Sequence, residues 1–303
     1  MPIARMRDLL AHASRGGYAV GYFEAWDEYS MEAAVEAAVA LASPAILGFG
    51  AATTSHAWFD AGGIEELAGI ARALALRSGV PTAVLFNEAR SLEHVLRGID
   101  AGCNAVMLGT AELPLEENIA ATRAVVARAH PRGVDVEAEL GHLADALDAG
   151  AGGVAGQEHR TDPTEARRFV RETGVDALAV AIGTAHCHTD VVPGSALDLS
   201  LLDELREAAG APLVLHGGSG LSALGAKAAI EHGIVKVNYG TRLKHLCLQA
   251  LRAAVAALPE VVDVQRVVGS RATTDLLMPG KMLVRDQIAD LIRLYGAAGR
   301  ARP

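Results

Sequence analysis

Eight short runs rich in β-branched and apolar residues recur along the chain, each followed by a longer stretch with helical periodicity, and this alternation constrains the fold more than any other feature. The runs are Ala19 to Phe23, Pro44 to Gly50, Thr82 to Asn87, Ala105 to Leu108, Asp135 to Leu140, Ala177 to Ile182, Pro212 to His216 and Ile234 to Asn238. Helical patterns lie between them over Ser30 to Leu41, Gly63 to Arg77, Leu92 to Ala101, Leu115 to His130, Pro163 to Thr173, Leu201 to Ala209 and Ala223 to His232, with Thr241 to Leu258 after the last run. Eight such units in about 250 residues without a linker predict an α/β fold of the (β/α)₈ TIM-barrel type, closed rather than open. The expected organisation is one barrel domain over residues 1–303, with an additional C-terminal helix at about 280–298.

Composition narrows the partners. With 51% hydrophobic and 21% charged residues, the 303-residue chain buries a large core. The net charge of −9 and the lack of a Lys/Arg run exclude the electrostatic footprint of a nucleic-acid binder. No apolar stretch reaches the length of a membrane span, and MPIARMRDLL has no signal-peptide pattern, so a cytoplasmic protein with small-molecule partners is expected. Cys103, Cys187 and Cys247 are odd in number and scattered, which fits reduced thiols. The Gly-rich stretch His142 to Thr161 reads equally as a mobile lid or as a plain connection.

In a barrel of this type the chemistry collects at the C-terminal ends of the strands. Strand one ends in Phe23-Glu24, strand three in Asn87-Glu88, strand six in GTAHCH with His186 and His188, and strand seven in LHGGSG with His216. Carboxylates and imidazoles at the ends of buried strands need a partner or an ion. Glu88, His186 and His216 form an expected metal set of two nitrogens and one oxygen, suited to Zn²⁺ or another divalent transition metal, with His188 in reserve. The glycines of HGGSG and a following helix predict a phosphate cradle made of Gly217, Gly218 and Ser219, with Asn238 and Thr241 of KVNYGT beside it.

These motifs carry a family. GYAVGYF, VLRGIDAGCNAVML, ELPLEENIAAT, HPRGVDVEAELG, TDPTEARRFVRETGVDALAVAIGTAH, PLVLHGGSG and AAIEHGIVKVNYGT together resemble the class II, metal-dependent fructose- and tagatose-bisphosphate aldolases over nearly the whole length. The resemblance implies a phosphorylated sugar substrate, a zinc-like ion with a monovalent cation as an addition, Glu139 as a second metal position, and a homodimer or homotetramer.

Strand three departs from the family pattern. Where the family reads LDHG, this chain has Phe86-Asn87-Glu88-Ala89, so Asn87 stands where a proton-shuttling Asp is usual and Glu88 where a His binds zinc. Gly50 and Gly109 replace a Ser and an Asp, while carboxylates are gained at Glu24, Asp27 and Glu112. The expected activity is an aldolase-type lyase that makes or breaks a C–C bond in a phosphorylated ketose through a metal-stabilised enediolate, with Glu24 first and Glu112 second as replacement acid/base. A sugar-phosphate isomerase or epimerase and a non-catalytic phosphosugar-binding barrel are the alternatives.

Overall fold

The computed structural model of the protein describes residues 3–51, 54–141, 144–145, 160–186 and 197–301, and for 144–145 and 185–186 the backbone only. Strands β1 (Val20–Glu24), β2 (Ala45–Gly50), β3 (Thr82–Ala89), β4 (Ala105–Leu108), β5 (Asp135–Leu140), β6 (Ala177–Val180), β7 (Leu213–Leu215) and β8 (Ile234–Tyr239) follow one another around a closed parallel barrel. β1 and β8 close it, in a register that pairs Val20 with Lys236 and Phe23 with Tyr239. All eight expected strands are present, two of them with the expected bounds and the others with ends shifted by at most two residues. A separate two-residue pair joins Ala144–Asp145 to Ala185–His186.

The longer helices are α1 (Met6–Gly16), α2 (Glu28–Ala40), α3 (Ile64–Arg77), α4 (Leu92–Asp100), α5 (Leu115–Ala129), α6 (Pro163–Thr173), α7 (Leu199–Ala209), α8 (Ala223–Glu231), α9 (Thr241–Ala256) and α10 (Met278–Leu294). Their boundaries follow local chemistry. Asp27 and Ser30 form a reciprocal capping box at the start of α2: the carboxylate of Asp27, expected at the barrel mouth as a gained charge, accepts from the Ser30 N–H, and the Asp27 N–H donates to Ser30 Oγ. Asp162 caps α6 ahead of Pro163, and Gly174 ends it in the left-handed region.

Helix α1 is absent from the sequence reading. Met6, Leu9, Leu10 and Ala13 form its buried face at helical spacing, and Gly17 closes it. The segment before it reaches the N-terminal end of the barrel, where Arg5 and the backbone N–H of Arg7 both bond the fully buried Asp135. Helix α10 runs from Met278 to Leu294, so it starts two residues before the expected 280 and ends four before the expected 298. Its Val284, Ile288, Leu291 and Ile292 are buried, each worth about 1.5–3 kcal/mol of transfer free energy. Lys281 anchors it to α2 by bonds of 2.7 Å to both Glu32 and Glu36.

Candidate active site at the carboxyl ends of the strands

The VLFNEA stretch of β3 carries an irregularity that a simple period-two strand does not. Phe86 faces outward, stacked on Phe49 and edge-on to Phe59. Pairing with β4 runs Leu85 to Ala105 and Phe86 to Val106, and then jumps to Ala89 with Leu108, so β3 holds one extra residue there. Glu88 takes φ +52°, a left-handed conformation that costs a non-glycine residue on the order of 1–2 kcal/mol. The bulge brings two consecutive side chains to the barrel interior: Asn87 is buried with its Oδ1 unpartnered, and Glu88 reaches to His216.

Glu88 meets His216 across the barrel. His216 follows β7, and its Nδ1 lies 3.6 Å from Glu88 Oε1 and 3.6 Å from Glu139 Oε1. That nitrogen is buried and has no hydrogen-bond partner. The donor atoms of Glu88, Glu139 and His216 all lie within 4.8 Å of one another. Ligands held at zinc-like bond lengths in a tetrahedron stand about 3.4 Å apart, so the three donors fit a divalent cation with little movement. An unpartnered buried imidazole nitrogen between two carboxylates is otherwise an expensive arrangement.

Electrostatics agree with an ion-ready cluster. Burial raises Glu139 to about 7, with His216 opposing and Glu88 reinforcing the shift. Burial also raises Glu88, offset in part by His216. His216 is raised although its burial acts the other way, because Glu139 and Glu137 outweigh it. Below them, Glu137 accepts from His216 Nε2 at 3.0 Å and from Lys236 Nζ at 2.9 Å. Despite its burial, Glu137 is held below the usual carboxylate range by Lys236 and His216.

The remaining expected residues fall as follows. His186 enters the two-residue strand opposite Asp145, but its side chain lies outside the described residues, as do His188, Cys187 and most of the His142 to Thr161 stretch. Glu24 lies at the rim, where Oε1 pairs with Lys244 Nζ at 2.9 Å. A Cβ on Gly240 would come within 2.5 Å of Glu24 Oε2, so the glycine makes room for this carboxylate. Glu112 is exposed and lines a cleft of about 580 Å³ with Asn118, Gly141, Arg160 and Thr161, apart from the Glu88–Glu139–His216 group.

The HGGSG segment differs from expectation in one respect. Gly218–Gly220 is a 3₁₀ turn, and α8 begins only at Ala223 under a Ser222 cap. Gly218 packs so close to β8 that a Cβ would stand 2.6 Å from Asn238 O. Ser219 Oγ accepts from the N–H groups of Gly240 and Arg242 at 3.2 and 3.4 Å. The helix start beside the turn is therefore that of α9, at Thr241, which has no side-chain cap. Glu137, Lys236 and Tyr22 escaped sequence reading. For Glu137 and Lys236 the signal was available as charged residues two positions before Glu139 and Asn238, on the same strand faces.

A closed barrel with buried carboxylates, an imidazole in a group that could hold a metal and a glycine turn beside a helix start at its carboxyl end belongs to the class of TIM-barrel enzymes. Comparison with known proteins resolves the class further. The model of the class-II fructose-bisphosphate aldolase family matches residues 4–300, and the chain belongs to that family. It is an aldolase-type lyase, of a family that generally depends on a divalent metal and acts on phosphorylated sugars. The crystal structure of the YdjI aldolase from Escherichia coli K12 is 29% identical, with 99% of this chain and 100% of that one covered at a TM-score of 0.80. A putative fructose-1,6-biphosphate aldolase from Coccidioides immitis (24% identity, 99% of each chain, TM-score 0.82) and the fructose-bisphosphate aldolase of Campylobacter jejuni (19%, 97% and 94%, 0.73) share the fold. No helix among the described residues is long and apolar enough to cross a membrane.

Proposed function

We propose that the protein is a zinc-type aldolase that makes or breaks a C–C bond in a phosphorylated ketose, with a proton path different from the one usual in its family. The observation that carries this reading is the buried, unpartnered Nδ1 of His216 between Glu88 and Glu139. These three residues, with His186 as the further donor, would hold the ion. When bound, a divalent cation supplies Lewis-acid polarisation of a carbonyl oxygen and neutralises charge that develops there.

The protein's own groups do the rest. Gly217, Gly218, Ser219, Asn238 and Thr241 receive the phosphate beside the start of α9, whose N-terminal amides favour an anion. Asn87 binds and orients but exchanges no proton, because a carboxamide does not titrate in this range. Glu24 is better placed than Glu112 to move the proton, since it borders Gly50 and Gly240 at the mouth and acts electrostatically on Glu88. Burial of Glu139 and His216, with Glu88 only partly exposed, limits competing water.

Within this reading the chain is one barrel domain with α10 as its extension, works in the cytoplasm, and assembles as a homodimer or homotetramer. Exposed Val255, Val261, Val264 and Val268 supply apolar surface that a second copy would cover. The test is metal analysis of purified protein together with a panel of ketose 1-phosphates and bisphosphates, with zinc, manganese and cobalt each added to chelator-treated enzyme. Stoichiometric metal with aldehyde release from one substrate supports the proposal. Absence of both metal uptake and cleavage across the panel rejects it.

A further inference from the structure

We infer that Lys236 is a positioning residue, which acts through Glu137 to fix the protonation pattern of His216 so that Nδ1 offers its lone pair to the space between Glu88 and Glu139. The inference rests on the reading of that space as the metal position. Lys236 is fully buried within the barrel, an environment that ammonium groups enter only when their donors are satisfied. Here they are. Nζ stands 2.9 Å from Glu137 Oε1 and 2.8 Å from Oε2, donates to Asn238 Oδ1 at 2.5 Å, and lies 4.9 Å from the centre of the Tyr22 ring.

The consequence passes along the chain of bonds. An ionised carboxylate only accepts, so with Lys236 keeping Glu137 charged, the 3.0 Å contact to His216 requires a proton on Nε2. A neutral imidazole holds one proton, and Nδ1 is then left as the acceptor. Among the described residues no hydrogen bond to Nδ1 selects the other tautomer, since the Glu88 and Glu139 oxygens stand 3.6 Å away. The same ammonium also orients Asn238: with Oδ1 turned to the cation, the amide nitrogen is turned away from it.

The deciding experiment is a long-range ¹H–¹⁵N spectrum of metal-free protein labelled in its histidines, at a pH where the His216 ring is neutral. His216 is assigned from the signal missing in His216→Gln. The wild type should show the proton on Nε2 alone. In the charge-neutral pair Lys236→Met/Glu137→Gln, residue 137 both donates and accepts, so the two tautomers should mix, and zinc affinity measured by chelator competition should fall by about 10- to 100-fold. A wild-type His216 protonated on Nδ1 overturns the inference even if the double variant fails to fold. A folded double variant that keeps the Nε2 proton and wild-type zinc affinity overturns it as well. A locked Nε2 proton in a wild type that takes up no zinc supports the inference and sinks the metal reading instead, so the two failures are distinct.

Discussion

Strands β5 to β8 gather Glu139, His216, Asn238 and the GGSG turn around one buried lysine, whereas strands β1 to β4 gather Glu24, Asn87 and Glu88 around a backbone irregularity. The first half is a connected network: Lys236 touches Glu137 and Asn238, and Glu137 touches His216. Its side chains are held by bonds to one another within the barrel. The second half depends on a left-handed Glu88 and on Gly240, just past β8, which leaves space for Glu24. The contrast teaches that one half is built to hold and the other to be altered, since a rim carboxylate is exchanged more cheaply than a buried network.

The largest expected effect lies in the first half. His216→Ala removes the imidazole and leaves Glu88, Glu137 and Glu139 facing one another, so zinc content should fall to the blank and cleavage with it, far beyond the roughly 10- to 100-fold cost of an outer-shell change. Metal analysis of the purified variant checks it, and full zinc occupancy would dissolve the distinction between the halves.

Next comes Glu24→Gln. Its pair with Lys244 is partly exposed, so stability should change by less than about 1 kcal/mol. Turnover should nevertheless drop on the order of 10²-fold, as for loss of a placed acid/base. A lower melting temperature with an unchanged kcat would make Glu24 a structural rim residue and move the proton path elsewhere.

A smaller effect sharpens the electrostatic side. The Glu139 carboxyl, raised from an ordinary value of 4.5 to about 7, stays protonated in the folded, metal-free protein while the unfolded chain has already ionised. Stability is thus lost as pH rises between those two values, and the full penalty is present above the upper one. Glu139→Gln should raise the melting temperature of metal-free protein over wild type more at about pH 8 than at about pH 5, where little of the penalty has developed. An equal shift at both would show that the carboxyl is not perturbed.

The smallest effect is expected from Asn87→Asp. If the second half were a degraded version of the family's usual arrangement, restoring the acid would raise fructose- or tagatose-bisphosphate cleavage by about 10²- to 10⁴-fold. With Gly50 and Gly109 altered alongside it and Glu88 adjacent, the new charge should give no gain and should weaken metal binding by repulsion. A clear gain in a coupled aldehyde assay would reverse the comparison.

The sequence reveals what period and strand ends can encode. Eight apolar runs of the right length specify the barrel, and polar residues closing them mark the mouth, so the placement of Glu88 and His216 was readable before any coordinates. Two kinds of feature were not. Alternation puts Asn87 and Glu88 on opposite faces, and only the bulge brings both inside. Glu137 and Lys236 read as ordinary strand residues because their pairing joins positions far apart in the chain. The Glu24–Lys244 pair, which links β1 to α9, was hidden for the same reason. Helix α1 has an apolar stripe, Met6 to Ala13, but it precedes the first strand and so lies outside the strand–helix alternation.

Closure of the barrel by β1 against β8 has a consequence for how the chain is made. Val20 pairs with Lys236, so the first strand leaves the ribosome more than 200 residues before its partner exists. At about 5–20 residues per second of synthesis, that edge stays open for roughly 10–40 s. During this interval β1, with Val20, Tyr22 and Phe23, is an apolar strand with one row of backbone donors and acceptors unmatched. Nascent chains halted before Ile234 should therefore be the most aggregation-prone of any truncation series, and release of residues 234–239 is the step at which the growing chain stops needing protection.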